Sequence, residues 1–238
     1  MEELLARLAA LERENARLKA RAAIENLAAE YQDLMLSGQM LRIADTLWSN
    51  DEDVRLEYTS SGIYEGQAAL RYFYDKDAKP GHLDAYQLTT PHITISDDAI
   101  SARGVWGMIG AESDVGELMP GSTRSPVQEK LLSSTDAEGR GYRAEWVWQR
   151  LEMELKNENG TWKIRALHIH ELFRCPYDQS WVAWAKERQA TDAYRTDELF
   201  TPDSATDAEK RPPEFNASFA TSRHWQYDLD ALPPYSLL

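Results

Sequence analysis

The sequence predicts an α+β fold in which N-terminal helices pack on the concave face of a bent antiparallel sheet. Three observations predict it: helical periodicity fills roughly the first fifty residues, short β-type runs follow from Val54 onward, and an Asn-Gly turn joins the last two of them. The chain has 238 residues with 42% apolar content, enough to fill a sizeable core.

The first segment places Leu4, Leu8, Leu11, Leu18 and Ala22 at alternating spacings of four and three, with Asn15 in the gap. This is the spacing of a coiled-coil seam, in which a buried Asn favours a defined register and a small oligomer. An amphipathic helix lying on its own domain would show a similar stripe. The helix continues through Ile24, Leu27, Tyr31 and Leu34 and should stop at Ser37-Gly38, where glycine supplies a C-terminal cap. A second helical stretch, Met40 to Trp48, follows.

The predicted strands are Val54 to Tyr58, Gly62 to Glu65, Tyr86 to Ile95, Ile100 to Ile109, Tyr142 to Leu155 and Thr161 to Leu172, with a helix over Gly66 to Asp77. Asn157-Glu158-Asn159-Gly160 closes a hairpin between the last two, because Asn-Gly readily adopts positive φ. Glu112 to Ser134, rich in Gly, Pro and Ser, is expected to form a loop or lid over a pocket mouth. A short helix over Trp181 to Arg188 follows the last strand. The predicted organisation is an N-terminal helical extension over 1–22, an α+β domain over 23–190, and a C-terminal arm over 191–238 that is rich in Pro, Asp and Ser.

Charge excludes some functions. Lys and Arg number 26 against 40 Asp and Glu, a formal charge of −14 that disfavours nucleic acid and anionic membranes as partners. No apolar run is long enough to span a bilayer, and the first residues are Glu-rich where a signal peptide would be apolar. The single cysteine, Cys175, can form no internal disulfide. These features predict a cytoplasmic protein. Eight Trp and eleven Tyr suit a flat aromatic ligand, although core packing uses the same residues.

Strict alternation in the last strand places Trp162, Ile164, Ala166, His168 and His170 on one face, with Lys163, Arg165 and Glu171 on the other. His168 and His170 are thus expected on the buried side as a proton-exchanging pair, although either alone could serve only core hydrogen bonding. His92 faces the cavity or the solvent according to register. Tyr31 lies on the apolar stripe of the first helix, as a core residue or a proton donor. Tyr58 and Tyr64 could hydrogen-bond a phenol or a leaving hydroxyl. Asp45 could orient a histidine or act as a base, or be solvated. Arg103 would stabilise a phenolate if it faced the pocket, and Trp106, Trp146 and Trp148 are candidates for aromatic walls or for core packing. With Glu171 on the opposite face, His168 and His170 lack a third ligand, so no metal site is expected. Phosphate loops, nucleophile elbows and dinucleotide fingerprints are absent from the sequence.

Several short motifs recur in a telling order: the helix Ile24 to Leu36, Tyr64-Glu65-Gly66 before a short helix, Leu88-Thr89-Thr90-Pro91-His92-Ile93 before an Asp-Asp turn, Gly160-Thr161-Trp162-Lys163-Ile164, and His168-Ile169-His170 through Phe173, Pro176-Tyr177 and Trp181. Over about residues 20 to 185 this order resembles the nuclear-transport-factor-2-like fold in its SnoaL-like branch. The resemblance implies a cone-shaped half-barrel. It also implies a dehydratase, isomerase, cyclase or lyase working without metal or organic cofactor, or a non-catalytic relative. It places Tyr31, His92 and the final-strand histidines where dehydratase-type relatives carry a helix Tyr and strand His residues; the pocket Asp base of steroid isomerases is not obvious. The long N-terminal helix and C-terminal arm look similar to formaldehyde-releasing lyases of lignin-derived diarylpropane diols.

The combined expectation is a cofactor-independent lyase acting on a phenolic aromatic substrate, assembled as a homo-oligomer through the N-terminal helix and C-terminal arm. The alternatives are a dehydratase, cyclase or isomerase on a polyketide-like or steroid-like ligand, and a non-catalytic binding module.

Overall fold

The computed structural model describes residues 1–58, 62–77, 83–116, 134–135, 141–183 and 210–211. Helix α1 covers Glu2–Leu36, and its C-terminal half buries Ala20, Ile24, Leu27, Ala28, Tyr31, Leu34 and Met35. It stops as the sequence predicts. Gly38 takes φ +67°, so that the Gln39 N–H reaches the Leu34 carbonyl at 2.8 Å and the Gly38 N–H reaches Met35 at 3.0 Å, a Schellman closure. The second helical stretch is a single turn, α2 (Met40–Arg42), running into a π-helical turn over Ile43–Leu47.

Strands β1 (Arg55–Tyr58) and β2 (Gly62–Glu65) lead into α3 (Gly66–Asp77). The run predicted as one strand over Tyr86 to Ile95 divides into β3 (Leu83–Leu88) and β4 (His92–Ile95). Pro91 has no N–H to give a ladder, and the break is stitched to the neighbouring strand by Thr89, whose N–H donates to the Gly107 carbonyl at 2.8 Å while its Oγ1 accepts the Gly107 N–H at 2.9 Å. β5 (Ser101–Gly116), β7 (Gly141–Glu158) and β8 (Thr161–Pro176) form the long centre of the sheet, and β6 (Ser134–Thr135) and β9 (Lys210–Arg211) are short additions. The predicted lid overlaps β5 up to Gly116 and touches β6; residues 117–133 lie outside the described residues. So does the C-terminal arm apart from β9, and so does the predicted helix beyond residue 183.

The sheet order is β3-β5-β7-β8-β1-β2-β9, with β4 also pairing β5 and β6 pairing β7. One ladder corrects the expectation of a purely antiparallel sheet: β1 runs parallel to β8, making the sheet mixed. The hairpin β7–β8 turns on Asn159 (φ +55°) and Gly160 (φ +93°), the two positive values that a tight hairpin needs. No helix among the described residues is long and apolar enough to cross a membrane.

Sheet face assignments follow from the register. β7 alternates without interruption, placing Val147, Leu151, Met153 and Leu155 in the core with Tyr31, Leu34, Leu56 and Tyr64. We call this helix-covered side the inner face. β8 alternates with two interruptions, one between its pairings to Glu154 and Leu155 and one between its pairings to Trp148 and Gln149, where Arg165 and Leu172 are the extra residues. Each bulge inverts the side-chain phase of everything beyond it.

Trp106 belongs to this inner core, 3% exposed, and its indole lies over Gly104; a Cβ on Gly104 would meet indole Cη2 at 2.1 Å. Trp106 is a packing residue whose neighbour must be glycine. Gly104→Ala is expected to cost about 1–3 kcal/mol through overpacking, read as a lowered thermal midpoint with the fold retained.

Candidate functional site

The first bulge overturns the predicted placement of the histidines. Strict alternation from Trp162 would carry His168 and His170 to the buried side; the extra residue Arg165 puts Leu167 and Ile169 there instead, both in the core cluster. His168 and His170 therefore stand on the outer face, with rings nearly parallel at 12° and centroids 6.3 Å apart. His168 pairs across the sheet with Glu57 and Glu152, and its Nδ1 lies 3.4 Å from Glu57 Oε2. Arg55 reaches Glu57 at 3.1 Å, Arg150 reaches Glu152 at 2.9 Å, and Arg103 also pairs with Glu152. Arg103 is thus neutralised on the outer face and is not a pocket cation.

The other outer-face residues follow the same register. His92 is exposed opposite Val105, Trp146 is exposed, and Trp148 packs edge-on against Trp181 at 4.9 Å. Trp146 and Trp148 line no inner wall. Asp45, on the π-helical turn, forms an exposed ion pair with Arg71 of α3 and orients no histidine. Tyr31 and Tyr64 are fully buried in the inner core; Tyr64 packs against Phe73 with centroids 5.0 Å apart, and Tyr58 stands edge-on to the same ring at 6.3 Å.

The second bulge builds something the sequence reading did not anticipate. With Leu172 as the extra residue, Glu171 and Arg174 fall on the same inner face although three positions apart, where regular alternation would part them. Arg174 becomes the hub of a buried network. Its Nε donates to Glu171 Oε2 at 2.8 Å, its Nη1 to Glu145 Oε2 at 2.5 Å and to Glu112, and its Nη2 to the Tyr58 hydroxyl at 3.1 Å. Tyr58 also accepts from Gln149 Nε2 at 2.6 Å and faces Glu171 Oε2 at 3.4 Å. Tyr86 donates to Glu112 from the neighbouring strand.

Burial alone would lower the Arg174 pKa, but Glu112, Glu171 and Glu145 outweigh it and hold the guanidinium charged. Burial first, then the Glu112 carboxylate, push the Tyr86 hydroxyl well above its ordinary value, so Tyr86 keeps its proton. Three carboxylates share one guanidinium, two phenol hydroxyls supply donors, and Gln149 Oε1, on a side chain 2% exposed, has no hydrogen-bond partner among the described residues. Such a set can accept a proton, give one, and receive a ligand hydroxyl. Of the residues named from sequence, Tyr58 alone joins the network.

A separate open groove of about 770 Å³ lies between α1 and β4, lined in part by Arg13, Arg17, Arg21, Ile93 and Ile95. It is remote from Arg174: β4 pairs with residues 102–105 of β5 whereas Glu112 sits at the other end, more than about 20 Å along the strand. No group of three or more His, Cys, Asp or Glu among the described residues is placed to hold a metal ion.

The SnoaL-like domain family matches residues 16–168. The chain belongs to the SnoaL-like family. Glu171 and Arg174 lie just beyond the matched segment. Comparison with curated protein sequences finds no significant match. Among solved structures, this SnoaL-like protein is similar to a hexachlorocyclohexane dehydrochlorinase of type 2, with TM-score 0.51 and 16% identity over 70% of this chain and 95% of that one. It is also similar to a protein described as a candidate scytalone dehydratase from Novosphingobium aromaticivorans, with TM-score 0.51 and 12% identity over 70% and 93% of the two chains. At these identities the likeness establishes the fold alone, and the fold is shared by many chemistries.

Two predictions follow from the geometry. Arg174→Met would take from three buried carboxylates the guanidinium they share and should destabilise the protein by about 3–5 kcal/mol, measured as a shift of the urea midpoint. His170 is held down to a pKa of about 4, by burial first and then by Arg150 and His168. Because the unfolded chain takes up this proton more readily than the folded one, His170 contributes stability that is present above pH 6.5 and lost as pH falls toward about 4. His170→Gln should therefore lose less thermal stability than the parent between those two pH values.

Proposed function

We propose that this SnoaL-like protein is a cofactor-independent lyase that uses the Arg174 network for acid–base chemistry on a phenolic aromatic substrate. The observation that carries the reading is the convergence on the Tyr58 oxygen: Arg174 Nη2 and Gln149 Nε2 both donate to it, so negative charge left there after proton donation is stabilised. Tyr58 is the acid. Glu171, 3.4 Å from Tyr58 and bonded to the same guanidinium, is the group that restores its proton.

The substrate class we propose is a lignin-derived diarylpropane diol. A carboxylate of the network takes the phenolic proton while Tyr58 protonates the benzylic hydroxyl, so that water departs and a quinone methide forms. A carboxylate then takes the proton of the primary alcohol, the bond to its carbon breaks, and formaldehyde leaves. The released electron pair re-aromatises the ring, whose oxygen regains a proton. The products are one stilbene, one water and one formaldehyde, with no net oxidation or reduction.

Metal-free protein incubated with such a diol is expected to yield stilbene and formaldehyde in equal amounts. Tyr58→Phe and Glu171→Gln should each reduce turnover by about 10²–10⁴-fold while remaining folded. Loss of water without a one-carbon fragment would instead identify a dehydratase, and an untouched substrate with folded protein would overturn the lyase reading.

A further inference from the structure

Helix α1 carries two apolar stripes, and among the described residues only one of them is buried in its own domain. Ala20, Ile24, Leu27, Tyr31 and Leu34 are buried against the sheet, whereas Leu4, Leu8, Leu11 and Leu18 are 51–67% exposed. At about 100° per residue the mean directions of the two stripes lie about 165° apart around the helix axis. The exposed stripe therefore points away from the sheet, and among the described residues only Leu18, at the edge of the groove beside β4, comes near the rest of the domain.

The spacing assigns heptad positions. Leu4, Leu11 and Leu18 occupy d; Leu8, Asn15 and Ala22 occupy a. The flanking g positions are then Arg7, Glu14 and Arg21, and the flanking e positions are Leu5, Glu12 and Lys19. In a parallel pair in register, each g residue meets the e residue five positions later on the other helix. Arg7 would face Glu12, and Glu14 would face Lys19, twice over by symmetry. Both pairings join opposite charges. Asn15 would meet its own counterpart at an a position, the arrangement that selects two strands and fixes register.

We propose that the N-terminal half of α1 binds a second copy of this chain as a parallel, in-register, two-stranded coiled coil. The inference is independent of the chemistry assigned to the Arg174 network. The two domains would then lie at the same end of the coil, each carried on the opposite side of its helix from the seam.

Two measurements on the full-length chain test this. In the first, Leu4→Cys and Leu18→Cys variants are oxidised separately and mixed. Each should cross-link to itself at its introduced cysteine. Cross-linking only in the mixture would show an antiparallel pair, and none at all would show no pair; either result overturns the proposal. In the second, the solution mass of the assembly is compared across charge variants. Arg7→Glu combined with Lys19→Glu places like charges at both g–e contacts and should halve the mass at low micromolar concentration. Adding Glu12→Arg and Glu14→Arg restores opposite charges and should restore the mass. These residues are exposed, so the domain stays folded, and a mass insensitive to both changes would overturn the proposal.

Discussion

The phase of strand β8 governs on which face of the sheet its own ionisable groups stand. β7 beside it alternates strictly, and the mismatch between the two is absorbed by one extra residue at Arg165 and another at Leu172. Between the bulges, Leu167 and Ile169 face the helices while His168 and His170 face outward. Across the second, Glu171 and Arg174 share the inner face, which no regular strand allows at this spacing. A strand without bulges would seat two histidines in the core and send Glu171 to the opposite side from Arg174. The network around Tyr58 is thus a product of backbone irregularity as much as of side-chain identity, in keeping with the tendency of bulges to re-aim side chains near functional sites.

Both faces of the sheet centre carry buried charge, and the two sets are constructed differently. On the outer face, cations and anions neighbour one another along and across the strands: Arg55 with Glu57, Arg103 and Arg150 with Glu152, and His168 between the two carboxylates. The pairing is close to balanced and suits a structural role. On the inner face a single guanidinium serves three carboxylates. Desolvating an ion pair offsets most of its Coulombic gain even when charges match, so a buried charged cluster is a poor way to hold a fold together. Arrangements of this kind are more readily understood as equipment for proton transfer, which is why the chemistry is assigned to the inner set and the histidines are left out of it.

Much of the architecture was legible because local rules operate without competition. Gly38 ends α1 and Asn159-Gly160 turns the hairpin because positive φ is costly for other residues, and α3 occupies the stretch read from its apolar face. The site was less legible because period-two reasoning has no term for an inserted residue. A signal was present: Ala166-Leu167 places two apolar residues side by side, and Leu167 and Ile169 are better core residues than Ala166 and His168. The charged row Arg150, Glu152 and Glu154 on β7 also had to face something polar, and only the phase that turns His168 outward provides it. Glu112, Glu145 and Arg174 are each ordinary as single letters. Their meeting depends on three strands in register, and no spacing within one strand reports it. Tyr58 was found because it ends a strand whose partner residues happen to converge.

Helix α1 connects these levels. It is continuous from Glu2 to Leu36, about 50 Å at 1.5 Å per residue, and no glycine or proline interrupts it. One end sets Tyr31 among the inner-face core residues, while the other end presents the leucine seam on the opposite side of the same cylinder. A rigid rod of this kind fixes the angle between any coiled coil and the sheet. Two copies joined through the seam would keep their sheets apart, because each domain lies behind its own helix. The groove between α1 and β4 sits where the helix leaves the domain, and there Arg17 meets Asp97 at 3.7 Å. That exposed contact is too weak to steer the rod alone; the buried stripe from Ala20 to Met35 does so. Core packing and any assembly through the seam would therefore be set by one element read on two faces, and a change in the phase of either stripe would alter one without touching the other.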